Sequence, residues 1–97
     1  MGRMEKTYIR KREKKYAIYS LFDKKRLTKY YDNIEELEEN VYIAKDEKTG
    51  KFAFLSSRFS TKTEYKEIIK VLDTEINEYL YIGIVAEEER TDILTKI

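Results

Sequence analysis

The first sustained apolar run along the chain is Tyr16-Ala17-Ile18-Tyr19-Ser20-Leu21-Phe22, rich in aromatic and β-branched residues. The polar cluster Asp23-Lys24-Lys25-Arg26 follows, and a second run spans Leu27 to Tyr31, so the pattern predicts a hairpin. Asp32 then offers a helix N-cap, Glu35 stands three residues on as in a capping box, and Ile34 and Leu37 give one apolar side. A short helix over 33–39 is expected. Val41 to Ala44 and Phe52 to Ser56 predict a second hairpin around Asp46-Glu47-Lys48-Thr49-Gly50, where glycine supplies the positive φ of a tight connection.

Thr61 and Glu64 form another capping box, and Tyr65, Ile68, Ile69, Leu72 and Ile76 recur at spacings of three and four. The spacing predicts an amphipathic helix over 62–78. Leu80 to Ala86 is apolar on both faces, as in a central strand, and Glu87-Glu88-Glu89 opens an expected last helix docked by Ile93, Leu94 and Ile97. The predicted order is β-β-α-β-β-α-β-α, in which hairpin plus helix occurs twice as a faint internal repeat. The expected fold is α+β: one small domain with a mostly antiparallel sheet of about five strands, packed against the main helix, and residues 1–14 as a flexible basic arm.

With 97 residues the chain suits one domain, and a chain of this size buries only about 60 to 65% of its unfolded surface, so its core must be well filled. Nine tyrosines and four phenylalanines can fill it. No cysteine is present, which removes disulfides and thiolate metal sites, and the basic start lacks the apolar core of a signal peptide. The longest apolar run, Tyr79 to Ala86, is far short of a membrane span, so a cytoplasmic protein without membrane contact is expected.

The formal charge of +1 conceals alternating blocks. Residues 1–31 carry 11 basic and 3 acidic side chains, 32–47 carry 7 acidic and 1 basic, 48–72 carry 6 basic and 2 acidic, and 73–97 carry 7 acidic and 2 basic. Such segregation predicts separate positive and negative surfaces, suited to a partner or to head-to-tail self-association.

The first block interleaves cations with aromatics. Arg10, Lys11, Arg12, Lys14, Lys15, Lys24, Lys25, Arg26, Lys29 and Tyr30 form the candidate nucleic-acid site, with Lys6, Tyr8, Tyr16 and Tyr31 among them. Lysine and arginine release phosphate counterions, and tyrosine rings stack on unpaired bases. The leading expectation is therefore a non-catalytic protein that binds DNA or RNA in a regulatory or mobile-element setting. The low net charge argues against tight non-specific binding.

The rival reading is a protein-binding inhibitor or adaptor, such as one that blocks a host nuclease, acting through Glu35, Glu36, Glu39, Glu87, Glu88 and Glu89. Catalysis is disfavoured because histidine and cysteine are absent, which removes the commonest general base and the best nucleophile. Asp46-Glu47-Lys48 has the D-x-K form of metal-dependent nucleases, yet Gly50 marks it as a hairpin tip. No cofactor or metal is implied. Open strand edges make a homodimer compatible with the pattern.

Residues 46–72 also carry a resemblance. Asp46, Thr49-Gly50-Lys51, Phe59, Thr61-Lys62 and Glu64 resemble the hairpin-to-helix passage of phage integrase arm-type (AP2-like) DNA-binding domains. The resemblance implies a three-stranded sheet laid in the DNA major groove. It implies that Lys51, Arg58 and Lys62 approach DNA and that Phe52 to Ser57 carries the reading face. Tyr65 departs from the small residue usual there, and cleavage and joining are not implied.

Overall fold

The computed structural model describes residues 6–56 and 60–94. Among the described residues there are eight strands and no helix, so the expected α+β fold is replaced by an all-β one. The strands are β1 (Thr7–Arg12), β2 (Lys15–Ser20), β3 (Asn33–Glu38), β4 (Val41–Lys45), β5 (Phe52–Ser56), β6 (Glu67–Asp73), β7 (Glu78–Val85) and β8 (Arg90–Ile93). They pair antiparallel in three sheets: β1-β2, β3-β4-β5 and β6-β7-β8. Among the described residues no helix is long and apolar enough to cross a membrane.

The expected β4–β5 hairpin is present, with Val41 opposite Ser56, Lys45 opposite Phe52 and Gly50 at φ 72°. The expected Leu80 to Ala86 strand lies within β7, apart from Ala86. Thr7–Arg12, expected within a flexible basic arm, forms β1 on the free edge of β2. The anticipated partner of β2, Leu27 to Tyr31, pairs with it only through bridges, Tyr16 to Tyr31 with Tyr19 to Arg26 just before it.

None of the three expected helices forms among the described residues, outside which Ile97 lies, and each replacement has a local cause. Over 33–39, Ile34 packs toward the first sheet while a bulge between Glu36 and Glu38 leaves Leu37 against the other core. The Asp32 carboxylate does not cap a helix. It accepts from the Lys15 ammonium and, at 2.8 Å, from the Glu47 amide, which pins the chain between sheets.

Over 62–78 the helical spacing is produced by a strand with two apolar faces. Ile68 packs toward the middle sheet, Ile69 and Val71 point the other way, and Thr74 to Asn77 is a hairpin turn with Asn77 at φ 56°. β7 decides the matter: as a central strand of apolar residues its polar backbone needs hydrogen-bond partners on both edges, which flanking strands supply. β6 and β8 do so. The glutamates 87–89 form the β7–β8 turn, with Glu89 at φ 50°.

The sheets stack face to face with the middle one buried on both sides, which is why β4 and β5 read as nearly continuous apolar runs. Ile34, Tyr42, Ala44, Ala53 and Leu55 meet Ile9, Tyr16 and Ile18 of the first sheet. Val41, Ile43, Phe52 and Phe54 meet Tyr81, Val85 and Ile68 of the third. Phe54, fully buried, contributes on the order of 2 to 3 kcal/mol by burial.

The expected repeat of hairpin plus helix is not formed, since the described residues hold no helix; what recurs is a strand meander that closes in the same way twice. Thr28 accepts from the Ile18 amide (3.1 Å) and donates to the Lys29 carbonyl; Thr61 accepts from the Phe54 amide (2.9 Å) and donates to the Lys62 carbonyl. Three or four residues later, Tyr31 exchanges backbone hydrogen bonds with Tyr16, and Tyr65 does so with Phe52. In both units the chain edges one sheet through this threonine-to-tyrosine segment and then starts the next. The threonines thus serve as caps across segments rather than as helix caps.

Candidate nucleic-acid interface

β1 alternates its side chains between two environments. Thr7 donates to Asn40 and shares a 2.7 Å hydroxyl contact with Tyr42, and Ile9 joins the core, so this face looks inward. Tyr8, Arg10 and Arg12 therefore face outward, opposite Tyr19, Ala17 and Lys15 of β2. Arg26 to Tyr31 runs beside β2 and brings Arg26 and Tyr30 to the same surface.

The rings and cations on this face touch one another. The Tyr8 and Tyr19 centroids lie 5.9 Å apart at 31°. Arg10 sits 5.2 Å from the Tyr19 centroid, Lys24 5.8 Å from that of Tyr8, and Arg26 4.6 Å from that of Tyr30. The Tyr19 and Tyr30 hydroxyls are 3.0 Å apart. Tyr19 is only 7% exposed and forms the floor, while Tyr8 and Tyr30 are half-buried, and Arg10, Arg12, Lys24 and Arg26 are exposed. Among the described residues none of these four cations forms a carboxylate ion pair.

The electrostatics of the cluster appear in its phenols. Hydrogen bonds from Tyr19, Arg26 and Arg12 favour the Tyr30 phenolate and bring its pKa down to about 8. The Tyr19 phenol moves up, first through its hydrogen bond to Tyr30 and then through burial. The two core phenols behave differently: burial, reinforced by hydrogen bonds to Asp92 and Glu38, pushes Tyr65 and Tyr81 up to about 12.

Of the residues expected to bind nucleic acid, the fold gathers Arg10, Arg12, Lys24, Arg26 and Tyr30. The others are engaged differently. Lys11 lies 5.7 Å from the Tyr16 ring and Lys29 5.4 Å from that of Tyr31, while Lys15 is ion-paired to Asp32. Lys15 and Lys29 line a groove of about 360 Å³ in which Asp32, Asp46 and Glu47 answer Lys45 and Lys48, so that groove holds both signs of charge. Lys14 occupies the β1–β2 turn, and Lys25 the turn after β2, where its amide is held by Asp23. Tyr19, at the centre of the cluster, is absent from the sequence-based set because it sits within an apolar run. The period-two pattern Tyr8-x-Arg10-x-Arg12 is the signal that identifies the outward face of β1.

The acidic residues of the rival reading do not form one surface element. Glu35 and Glu36 lie on β3, Glu39 in the β3–β4 turn, and Glu87 to Glu89 in the β7–β8 turn. Glu87 pairs with Lys51 at 3.3 Å and Glu88 with Arg90 at 2.6 Å. Asp46, first residue of the D-x-K motif, accepts from the Lys48 amide at 2.9 Å within the turn. Of the cations implied by the integrase resemblance, Lys51 is the partner of Glu87, Lys62 is exposed, and Arg58 lies outside the described residues. No protein-family model, no curated protein and no solved structure matches the chain.

Proposed function

We propose that this protein binds single-stranded nucleic acid through the outer face of β1–β2, as a non-catalytic module. The observation that carries the reading is the cluster of Tyr8, Tyr19 and Tyr30 interleaved with Arg10, Arg12, Lys24 and Arg26, none of these cations paired to a described carboxylate. Cations on a sheet neutralise phosphates, and half-buried rings beside them offer stacking platforms worth roughly 1 to 3 kcal/mol per base. A single strand suits this face better than a duplex because its bases are free to stack.

Fluorescence-anisotropy titration of labelled single- and double-stranded oligonucleotides tests the reading. It predicts preference for the single strand and loss of most affinity in the Arg10→Ala/Arg26→Ala double variant. Equal affinity of the double variant and the parent protein would refute it.

A further inference from the structure

The third sheet has an outer face that belongs to neither core. Register places Ile69, Val71, Leu80, Ile82, Ile84 and Ile93 together on it, since Ile69 lies opposite Ile82 and Ile82 opposite Ile93. The inner face of the same sheet is fixed independently by Lys70, which pairs with Glu38 at 3.8 Å, and by Tyr81, which bonds Glu38 at 2.7 Å. Ile93 is 57% exposed, and Ile69, Val71, Leu80, Ile82 and Ile84 are half-buried. A contiguous apolar patch of this kind marks a contact surface.

The repeat shows what kind of surface such a face packs on. Ala44 and Gly83 hold matching places, opposite Ile34 and Ile68, so Val41, Ile43 and Phe54 of the middle sheet correspond to Leu80, Ile82 and Ile93 of the third. In the middle sheet that face is covered by the next sheet of the stack, whose Tyr81 reaches Phe54 at 5.4 Å. Tyr42 of the middle sheet packs in the same way against Ile18 of the first. Tyr8, one residue before Ile9, stands at the same position on the outer face of the first sheet.

We infer that the outer face of the third sheet docks the outer face of the first sheet of a second copy, head to tail. Charge supports this occupant. Register brings Glu67, Asp73 and Glu78 onto the rim of the apolar face, and the opposing face presents Arg10, Arg12, Lys24 and Arg26. Stacking two third sheets on each other would instead set acid against acid. A heterologous contact of this kind closes into a ring or continues as a filament.

Sedimentation velocity of the full chain without nucleic acid, over a range of concentrations, tests the inference. Association growing with concentration and weakening with salt is expected. Ile82→Lys and Arg10→Glu/Arg26→Glu each remove one half of the contact, so each variant is monomeric alone while their mixture forms a one-to-one dimer through the remaining intact pair of faces. Ile93→Lys, at an exposed edge position, repeats the first variant without threatening the fold. A parent protein that stays monomeric throughout, or an Arg10→Glu/Arg26→Glu variant that still associates, overturns the inference. Competition by an oligonucleotide rests on the proposed function and is a separate arm: failure to dissociate the assembly counts against nucleic-acid binding at that face, not against self-association.

Discussion

The hydroxyls of Tyr19 and Tyr30 stand 3.0 Å apart, one from a buried strand residue and the other from the segment that edges the same sheet. With Tyr19, Arg26 and Arg12 favouring its phenolate, Tyr30 ionises at about 8 while Tyr19 is held protonated. Because the folded pKa lies below that of a free phenol, folding favours the phenolate. The resulting stabilisation is full above about pH 10 and is lost as pH falls through about 8. Absorbance titration of tyrosinate should show one early step near pH 8 that Tyr30→Phe removes.

The same ionisation lowers the positive charge of the face by one. Oligonucleotide affinity is therefore expected to fall as pH rises from 7 to 9, and the Tyr30→Phe variant is expected to lose that dependence. Anisotropy titrations at matched ionic strength check it.

Four cations at the face set the expected salt response. If each meets a phosphate, log affinity for a single strand should fall against log salt with a slope of roughly −3, and Arg10→Ala should reduce the slope by about 0.7. Titrations of parent and variant across salt concentrations measure both.

Much of the fold was legible where a residue type has one strong local use. Gly50 and the short apolar runs around it define the β4–β5 hairpin, and the two-sided apolar run after Tyr79 defines β7. The helices failed for a physical reason: Tyr65, Ile68, Ile69 and Leu72 fall at helical spacing, yet Val71 and β-branched Ile69 fill the opposite face of a strand. Thr61 and Asp32 misled in the same way, since a side chain able to cap a helix can equally bond a distant amide. Composition revealed the cations of the site. Their grouping depended on pairing β1 with β2, and Lys11 between Arg10 and Arg12 obscures the alternation that marks the outward face.

Gly83 packs directly against the Tyr65 ring. A Cβ there would stand 2.5 Å from Tyr65 Cδ1, while the Tyr65 hydroxyl donates to Asp92 at 2.8 Å and holds the ring in place. Gly83→Ala is expected to destabilise the fold by about 1 to 3 kcal/mol, the usual cost of overpacking, and urea denaturation measures it.

The threonine caps predict a graded effect. Thr28→Val and Thr61→Val each leave a strand amide without its acceptor, at a cost of roughly 1 to 3 kcal/mol. Thr28 is buried and Thr61 half-buried, so the first change is expected to cost more in the same denaturation experiment.

The central claim is that nucleic acid lies on the outer face of β1–β2. Photo-crosslinking of the full chain to a single-stranded oligonucleotide carrying a photoreactive base, followed by peptide mapping, tests it most directly. Adducts on the peptides containing Tyr8 and Tyr30, suppressed in the Arg10→Ala/Arg26→Ala variant, are the predicted result. Adducts confined to the β3, β6 or β7 peptides, or no adducts at concentrations well above those of the anisotropy titration, would contradict the account.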